Sequence, residues 1–331
     1  MQRREFLASG LAAAAAFGLS RGAAGAATSL AVLRLGIING LESPIGVSAA
    51  AFADAVAANC GGRVRVDIYP AGEAGGEAEM FKDMRAGALE MVFASSDAYA
   101  SAATRLGVFD IPFLFRDVAH ARGVLDSEIG KKALGQLDLV NVVGLAWGEN
   151  GLRHLTTADR AVRTPADLDG LKLRVPESLV LVRGFKALGA DAETLPLPQL
   201  YEALASGRFQ AEENPLTVIS DLRFDRVQKF LCLTGHVYSP AMIMIAKGAL
   251  ASLSPEDAQA VRDAAALCAS QSRTANEKAE ATALAQLRER GMTVVEDVDR
   301  AAFVAGIASA QEVYENSFGK AQIAAIRDWK A

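Results

Sequence analysis

Short apolar strands alternate with helical stretches in the first third of the chain, and this alternation limits the folds that it can adopt. A strand is predicted at "LAVLRLGII" (30–38), and an Ala-rich helix follows from about Ile45 to Asn59. "GGRVRVDIYP" contains a second strand, a helix is predicted from about Glu77 to Ala86, and "LEMVFAS" is a third strand. Strand, helix, strand, helix, strand is the pattern of a parallel sheet with crossover helices. The sequence therefore predicts an α/β fold.

A second series of strands and helices begins with "LVNVVGLAWGENGLRHLTT" (139–157). It continues through "GLKLRVPES", a helix around Leu179 to Leu188, and "AETLPLP". The segment Thr164–Asp167 places a cap residue, a proline and an acid at a helix start, and residues 254–257 repeat this pattern. From there to Arg290 the apolar periodicity persists for an unusual length. A helix this long can bridge two lobes.

The first 26 residues have the three parts of a cleaved export signal. Two arginines give a basic start, an apolar run extends from Phe6 to Leu19, and small residues end the segment. The run is shorter than the about 20 apolar residues that a membrane span needs. Residues 2–7 also resemble the twin-arginine export motif, and an ordinary secretory leader with two arginines is the alternative. We expect a periplasmic protein that does not span the membrane after cleavage.

The charge of the chain argues against nucleic acid as a partner. The leader carries a net charge of +2, so its removal changes the formal charge from −5 to −7. Nucleic-acid binding depends on clustered cations, and an acidic mature protein lacks that feature.

Neither the cysteines nor the histidines predict a metal site. Cys60, Cys232 and Cys268 are far apart and odd in number, and they lack a metal-binding or redox spacing. We expect them to be buried as small hydrophobic residues, and one long-range disulfide remains open in an oxidising compartment. The three histidines have no partner at i, i+4. We therefore expect no metal and no cofactor.

The sequence carries no complete catalytic motif. The single G-x-S-x-G match, Gly18–Gly22, lies inside the leader and has no strand before it. The Gly-rich stretch at 72–80 lacks the lysine of a P-loop, and its glutamates would repel a phosphate. Two carboxylates such as Glu177 and Glu213 could still meet in space. An exported enzyme acting on an organic acid is therefore one alternative hypothesis.

Several segments together resemble the DctP-like extracytoplasmic solute-binding subunits of TRAP transporters. They are "GGRVRVDIYPAGEAGGEAEMFKDMRAGALEMVFASS", "GVFDIPFLFRD", "GLKLRVPES", "FKALGA", "LYEALASGRFQAEENPL" and "DRVQKFLCLTGHVYSP". The likeness follows one order over nearly the whole mature chain. It implies a type II-like, two-lobed periplasmic binding fold whose hinged cleft closes on an anionic organic solute. The solute is then handed to a membrane permease driven by an ion gradient, without catalysis.

The length of the chain agrees with two lobes. With 331 residues, of which 51% are hydrophobic, it exceeds the about 250 to 300 residues at which a single core stops growing. We expect lobe I to comprise residues 27–150 plus roughly 237–278. Lobe II is expected to comprise residues 151–236 plus roughly 279–331.

The resemblance also implies a set of ligand-binding residues. In "LKLRVP" the family's carboxylate-binding arginine is Arg174, and strand alternation points it away from its apolar neighbours. The planar fork of an arginine gives two parallel charge-assisted hydrogen bonds to a carboxylate. Asn214 matches a cleft asparagine that donates to the carboxylate, and Arg153 matches a second cleft arginine. The other positions expected near the solute are Glu77, Ser95, Glu177 and Leu197.

Each main prediction has an alternative that the sequence leaves open. A strand arginine such as Arg174 can be solvated, Asn214 before a proline can be a turn former, and Arg153 can form a surface salt bridge. For the whole protein, a ligand-presenting sensor subunit would use the same cleft with a receptor partner.

Departures from the family pattern limit the prediction of the solute. Ser95 and Ala98 stand where the sialic-acid-binding branch carries an acidic residue and an arginine, so a sialic acid is not expected. Leu197 lies where many members place an aromatic ring against the solute, and residues 42–44 replace the family's common His-Pro. A small carboxylate remains: a C4-dicarboxylate, a hydroxy or keto acid, or a sugar acid.

Overall fold

The computed structural model describes residues 30–99 and 104–330, so the predicted export signal at 1–26 lies outside the described residues. Within the described ranges, no helix combines the length and the apolar character needed to cross a membrane. The strands are β1 Ala31–Gly36, β2 Val64–Tyr69, β3 Met91–Ser95, β4 Val142–Thr157, β5 Lys172–Val175, β6 Asp191–Thr194, β7 Ala211–Pro215, β8 Phe230–Ala246 and β9 Thr293–Val295. The α-helices are α1 Pro44–Asn59, α2 Glu77–Ala86, α3 Val118–Asp126, α4 Glu128–Gly135, α5 Leu179–Ala187, α6 Leu200–Ala205, α7 Leu216–Asp221, α8 Lys247–Ala251, α9 Pro255–Glu289, α10 Arg300–Ile307, α11 Gln311–Phe318 and α12 Lys320–Arg327.

The strands form one mixed sheet in the order β2-β1-β3-β8-β4-β7-β5-β6, with β9 beside β8. β1 pairs in parallel with β2 and β3, and β5 pairs in parallel with β6 and β7. The long strands β4 and β8 are antiparallel to each other and connect these two parallel units. We call the β1–β3 unit the first half and the β5–β7 unit the second half. The predicted α/β class and the parallel pairing of the first three strands are confirmed.

Helices cover both faces of each half of the sheet. In the first half, one apolar cluster contains residues of α1 and the first part of α9, and another contains residues of α2, α3, α11 and α12. In the second half, one cluster contains residues of α5 and α10, and another contains residues of α6, α7 and the end of α9. Each half is therefore a three-layered unit with its own core.

The long predicted helix is α9, which has 35 residues. Ser254 caps its start by accepting a backbone N–H of the first turn at 3.1 Å, and Pro255 occupies the first helical position. Gly291 follows its end with a φ of +94°. Cys268 packs in the cluster of α1, whereas Leu287 packs in the cluster of α7. The helix thus packs against both halves, as predicted.

The predicted helix start at Thr164–Asp167 opens only a short 3₁₀ turn, Pro165–Leu168. Its capping box is present, with reciprocal hydrogen bonds between Thr164 and Asp167. Gly170 follows with a φ of +65°, and β5 begins two residues later. The segment is too short for an α-helix, so the predicted cap was correct but the helix was wrong.

The two C-terminal helices pack mainly in an apolar cluster of the first half, and the Tyr314 hydroxyl of α11 also donates to the Val180 carbonyl oxygen of α5 at 3.1 Å. Tyr314 of α11 and Ile323 and Ile326 of α12 pack in the cluster of α2 and α3, although the sequence prediction assigns residues 279–331 to lobe II. Apolar periodicity shows that one face of a helix is buried, but it does not show against which lobe. The predicted lobe boundaries, including that of residues 279–331, stay a prediction.

All three cysteines are buried and free. Cys60 and Cys268 belong to the cluster of α1, and Cys232 belongs to the cluster of α5. Their expected role as small hydrophobic residues is confirmed, and the structure does not pair any two of them in a disulfide.

Candidate functional site

A small cavity of about 20 Å³ lies between the two halves of the molecule. Its lining residues are Ile38, Asn39, Glu77, Ser95, Asp97, Asn150, Arg153, Arg174, Pro176, Leu197, Asn214 and Val218. The residues predicted to bind a solute that lie among them are Glu77, Ser95, Arg153, Arg174, Leu197 and Asn214. Glu177 does not belong to this lining; it follows Pro176 beyond the end of β5 and is half-buried there.

Arg174 points into the cavity because β5 alternates its faces. Its neighbours Leu173 and Val175 pack in the cluster of α5 on the other face. The side chain of Arg174 is only 2% exposed, and its Nε donates to the Leu195 carbonyl oxygen at 2.7 Å. Its Nη1 is buried and has no hydrogen-bond partner among the described residues. Burial lowers the pKa of Arg174, although the nearby carboxylate of Glu213 acts in the opposite direction.

Arg153 of β4 is as deeply buried as Arg174, but protein carboxylates surround it. Its Nε donates to Glu213 Oε2 at 2.6 Å, and its Nη1 donates to Asp97 Oδ2 at 3.0 Å. Its Nη2 donates to Glu213 Oε1 at 2.9 Å and to Asn214 Oδ1 at 3.2 Å. Burial alone would lower the pKa of Arg153, but Glu213 and Asp97 outweigh burial and raise it. Arg153 is therefore neutralised by the protein itself.

Glu213 connects Arg153 to a buried histidine. Its Oε2 lies 2.9 Å from His236 Nε2, and its exposed fraction is zero. Burial favours the protonated acid, but Arg153 and His236 prevail and hold the pKa of Glu213 below its usual value. The carboxylate stays charged and fixes the orientation of the Arg153 fork.

Asn214 is held in place on β7 by its own neighbours. Its Nδ2 donates to Glu212 Oε2 at 2.6 Å, and its Oδ1 accepts from Arg153. Glu212 also accepts from the Thr156 hydroxyl at 2.6 Å, and burial raises the pKa of Glu212 to about 7. The Asn214 amide carries two N–H groups, so one remains to serve the cavity.

The side of the cavity that faces the first half carries three acidic or hydroxyl side chains: Glu77, Ser95 and Asp97. The Ser95 hydroxyl donates to Asp97 Oδ1 at 2.6 Å and lies 2.9 Å from the Ser239 hydroxyl. Glu77, in the first turn of α2, is half-buried as a whole residue. Burial of its carboxyl group and the charge of Asp97 raise the pKa of Glu77 to about 8, against the influence of the two arginines. This wall carries negative charge and hydrogen-bonding groups opposite Arg174.

The sequence of this chain matches a known protein family over most of its length. The family model described as "Bacterial extracellular solute-binding protein, family 7" (DctP) matches residues 35–320. The chain belongs to this family. The matched residues include every residue that lines the cavity, so the DctP assignment covers both halves and the site between them.

Related proteins resemble this chain in sequence, and two of known structure also have the same fold. A solute-binding protein of Verminephrobacter eiseniae is 38% identical over 301 residues, which are 91% of this chain and 90% of that protein. A TRAP periplasmic solute-binding protein from a Polaromonas species, bound to D-erythronate, matches with a TM-score of 0.89 at 36% identity and covers 91% of this chain and 99% of that one. Another from Bordetella bronchiseptica, with electron density interpreted as pantoate, has a TM-score of 0.88 at 37% identity and covers 91% and 100%. This DctP protein is thus a TRAP-type solute-binding subunit with the predicted two-lobed fold.

The DctP family and these relatives are solute-binding proteins rather than enzymes. The alternative of an exported enzyme depended on Glu177 and Glu213 meeting around a solute. Glu213 is fully buried in its bonds to Arg153 and His236, and Glu177 lies outside the cavity. The structure therefore does not place the two carboxylates as that hypothesis requires.

Some lining residues of this DctP site were missed by the sequence analysis. Asp97 and Asn39 lie just beyond the ends of β3 and β1, where polar residues after a buried strand are a usable signal. Asn150 lies in the same "ENGLR" segment as Arg153. Ile38 and Val218 are apolar, and nothing in their local sequence distinguishes them from core residues.

Proposed function

We propose that this protein binds a small hydroxy monocarboxylate of the sugar-acid class in the periplasm and delivers it to a TRAP membrane permease. The observation that carries this proposal is the buried Nη1 of Arg174, which has no partner among the described residues. A buried charged donor without an acceptor is costly. A solute carboxylate would supply two oxygen acceptors in the geometry of the guanidinium fork.

The charges around Arg174 favour a single carboxylate. Arg153 is already neutralised by Glu213 and Asp97, so among the described residues that line the cavity only Arg174 is left as a cation for a solute. A second carboxylate of a C4-dicarboxylate would face the carboxylate of Asp97, and like charges at short range repel. Hydroxyl groups can instead donate to Asp97 and Glu77 and accept from Asn214. D-erythronate and pantoate, the ligands of two related structures, each combine one carboxyl group with hydroxyl groups.

The roles of the predicted site residues follow from this arrangement. We assign the carboxylate contact to Arg174 and an amide contact to Asn214, while Arg153 positions Asn214 through the hydrogen bond from its Nη2. Ser95 and Glu77 face the hydroxyl groups. Leu197 closes the outer end of the cavity, and we assign no solute contact to Glu177.

Entry of a solute requires the two halves to separate. The cavity volume of about 20 Å³ is roughly that of one water molecule, and both halves contribute walls. β4 and β8 connect the halves, and their pairing shifts register between Glu149 and Gly151, where Gly151 has a φ of +121°. We propose that the lobes hinge about this irregularity, and that opening at the permease releases the solute.

Thermal denaturation with a panel of acids tests the proposed solute class. We expect D-erythronate to raise the Tm by roughly 5 °C at a concentration near 100 Kd, because the acid binds only the folded protein. Succinate is a matched control, since it has the same chain length but a second carboxylate in place of the hydroxyl groups. A shift with succinate as large as that with D-erythronate would contradict the monocarboxylate assignment.

Affinity for the acid should fall as the pH rises through about 8. At pH 7 Glu77 is mostly protonated, because burial and the charge of Asp97 raise its pKa to about 8. Above that pH the ionised Glu77 adds a negative charge to the cavity that holds the anionic acid, so we expect about tenfold weaker binding at pH 9 than at pH 7. The groups that face Glu77 are Asp97, Arg174, Arg153, Tyr99 and Ser95.

Titration calorimetry at pH 7, 8 and 9 measures this dependence. Glu77→Gln is the matched control, because a glutamine resembles the protonated acid and does not titrate. The variant should lose most of the pH dependence, and any remainder reports Glu212, whose pKa is about 7. Equal slopes in the wild type and Glu77→Gln would refute the role of Glu77.

A further inference from the structure

The small cavity shares a wall with a larger groove on the outside of the molecule. The groove has a volume of about 530 Å³, and Ile38 and Leu197 line both spaces. Leu41 from the first half and Leu222 from the second half line the groove but not the cavity, and both are partly exposed. Ile38 and Leu197 therefore lie on the boundary between a closed polar cavity and an open, largely apolar groove.

Both boundary side chains are held by their own half of the protein. Ile38 packs against the cluster of α2 and α3, and its Cδ1 lies close enough to Gly72 that a side chain there would contact it. Leu197 packs against the cluster of α6 and α7. Prolines flank Leu197 on both sides, and a proline fixes its own φ. The pair is therefore a fixed boundary once the halves are together.

We infer that Leu197, with Ile38 from the other half, limits the length of the acid and makes the protein favour shorter over longer sugar acids. This inference rests on the proposed function, because Arg174 must hold the carboxylate at the inner end. A longer chain would then have to pass between Ile38 and Leu197. Its outer hydroxyl groups would lose water against apolar side chains without gaining partners, which is unfavourable.

Calorimetric titration with D-erythronate and galactonate tests the inference. We expect the wild type to bind D-erythronate at least about tenfold more tightly than galactonate, the scale of discrimination that an apolar wall provides. Leu197→Ala opens the boundary from the second half and should reduce this preference by about tenfold, mainly through tighter galactonate binding. Ile38→Ala should act in the same direction from the first half.

Leu222→Ala is the matched control, since it removes the same side chain from the groove without touching the cavity. It should leave the preference unchanged, and retained D-erythronate binding shows that each variant is folded. An unchanged preference in both Leu197→Ala and Ile38→Ala, or a wild type that binds galactonate as tightly as D-erythronate, would overturn the length limit. If the wild type bound neither acid, the proposed function itself would fail, and the inference with it.

Discussion

We expect Arg174→Ala to bind its acid roughly thirty-fold to several-thousand-fold more weakly than the wild type. Removal of one partner of a buried charged pair costs about 2 to 5 kcal/mol of binding, and each 1.4 kcal/mol is about tenfold in Kd. The guanidinium is already desolvated, with Nη1 lacking a partner among the described residues. The desolvation penalty of the guanidinium is therefore already part of the folding free energy. The charge-assisted contact with the acid then contributes in full to the binding free energy.

Two further variants separate the role of Arg174 from general effects of mutation. Arg174→Lys should also bind poorly in calorimetric titrations, because an ammonium keeps the charge but loses the planar fork. Lys172→Ala changes an exposed cation on the same strand and should bind with wild-type affinity. Circular dichroism would establish that each variant is folded. Wild-type affinity in Arg174→Ala would exclude Arg174 from the binding site.

The second large effect is on stability. We expect Arg153→Ala to lower the free energy of unfolding by about 3 to 5 kcal/mol, because the substitution leaves Glu213 and Asp97 buried without their cation. The loss should appear in urea denaturation without any acid present. A residue that acted only on the solute would show no such loss.

Arg65→Ala is the control for this measurement. Arg65 is also a strand arginine paired with a carboxylate, but its pair with Asp67 is exposed. Exposed pairs contribute at most about 1 kcal/mol, so the free energy of unfolding should hardly change. If Arg153→Ala were no more destabilising than Arg65→Ala, the buried network would not be a structural element of the fold.

Strand alternation predicted the direction of the Arg174 side chain and the family resemblance predicted its role, whereas the partners of Arg153 are too distant in sequence to be predicted. Leu173 and Val175 alternate with Arg174 on one short strand, so the direction of its side chain follows from the sequence. The carboxylates that neutralise Arg153 come from Glu213, 60 residues away, and Asp97, 56 residues away. No local pattern states such a pairing. The sequence therefore predicted that Arg153 lies at the site but not that protein groups occupy its fork.

The same distinction holds for the fold. The helix predicted at 77–86 and the end of α9 before Gly291 depend on neighbouring residues, and both are confirmed. The docking of α11 and α12 on the first half depends on surfaces that lie far apart in sequence. The position of Glu177 was also not predicted, because the alternation of side chains between the two faces of a strand no longer applies after β5 ends at Val175.

A crystal structure of the protein with the acid that raises its Tm most would show directly whether Arg174 holds the carboxylate. We predict a carboxylate oxygen about 2.7 to 2.9 Å from Nη1 of Arg174, with hydroxyl groups of the acid toward Asp97 and Glu77. A carboxylate bound elsewhere, or an acid in the cavity that leaves Nη1 of Arg174 without an oxygen partner, would contradict this role of Arg174.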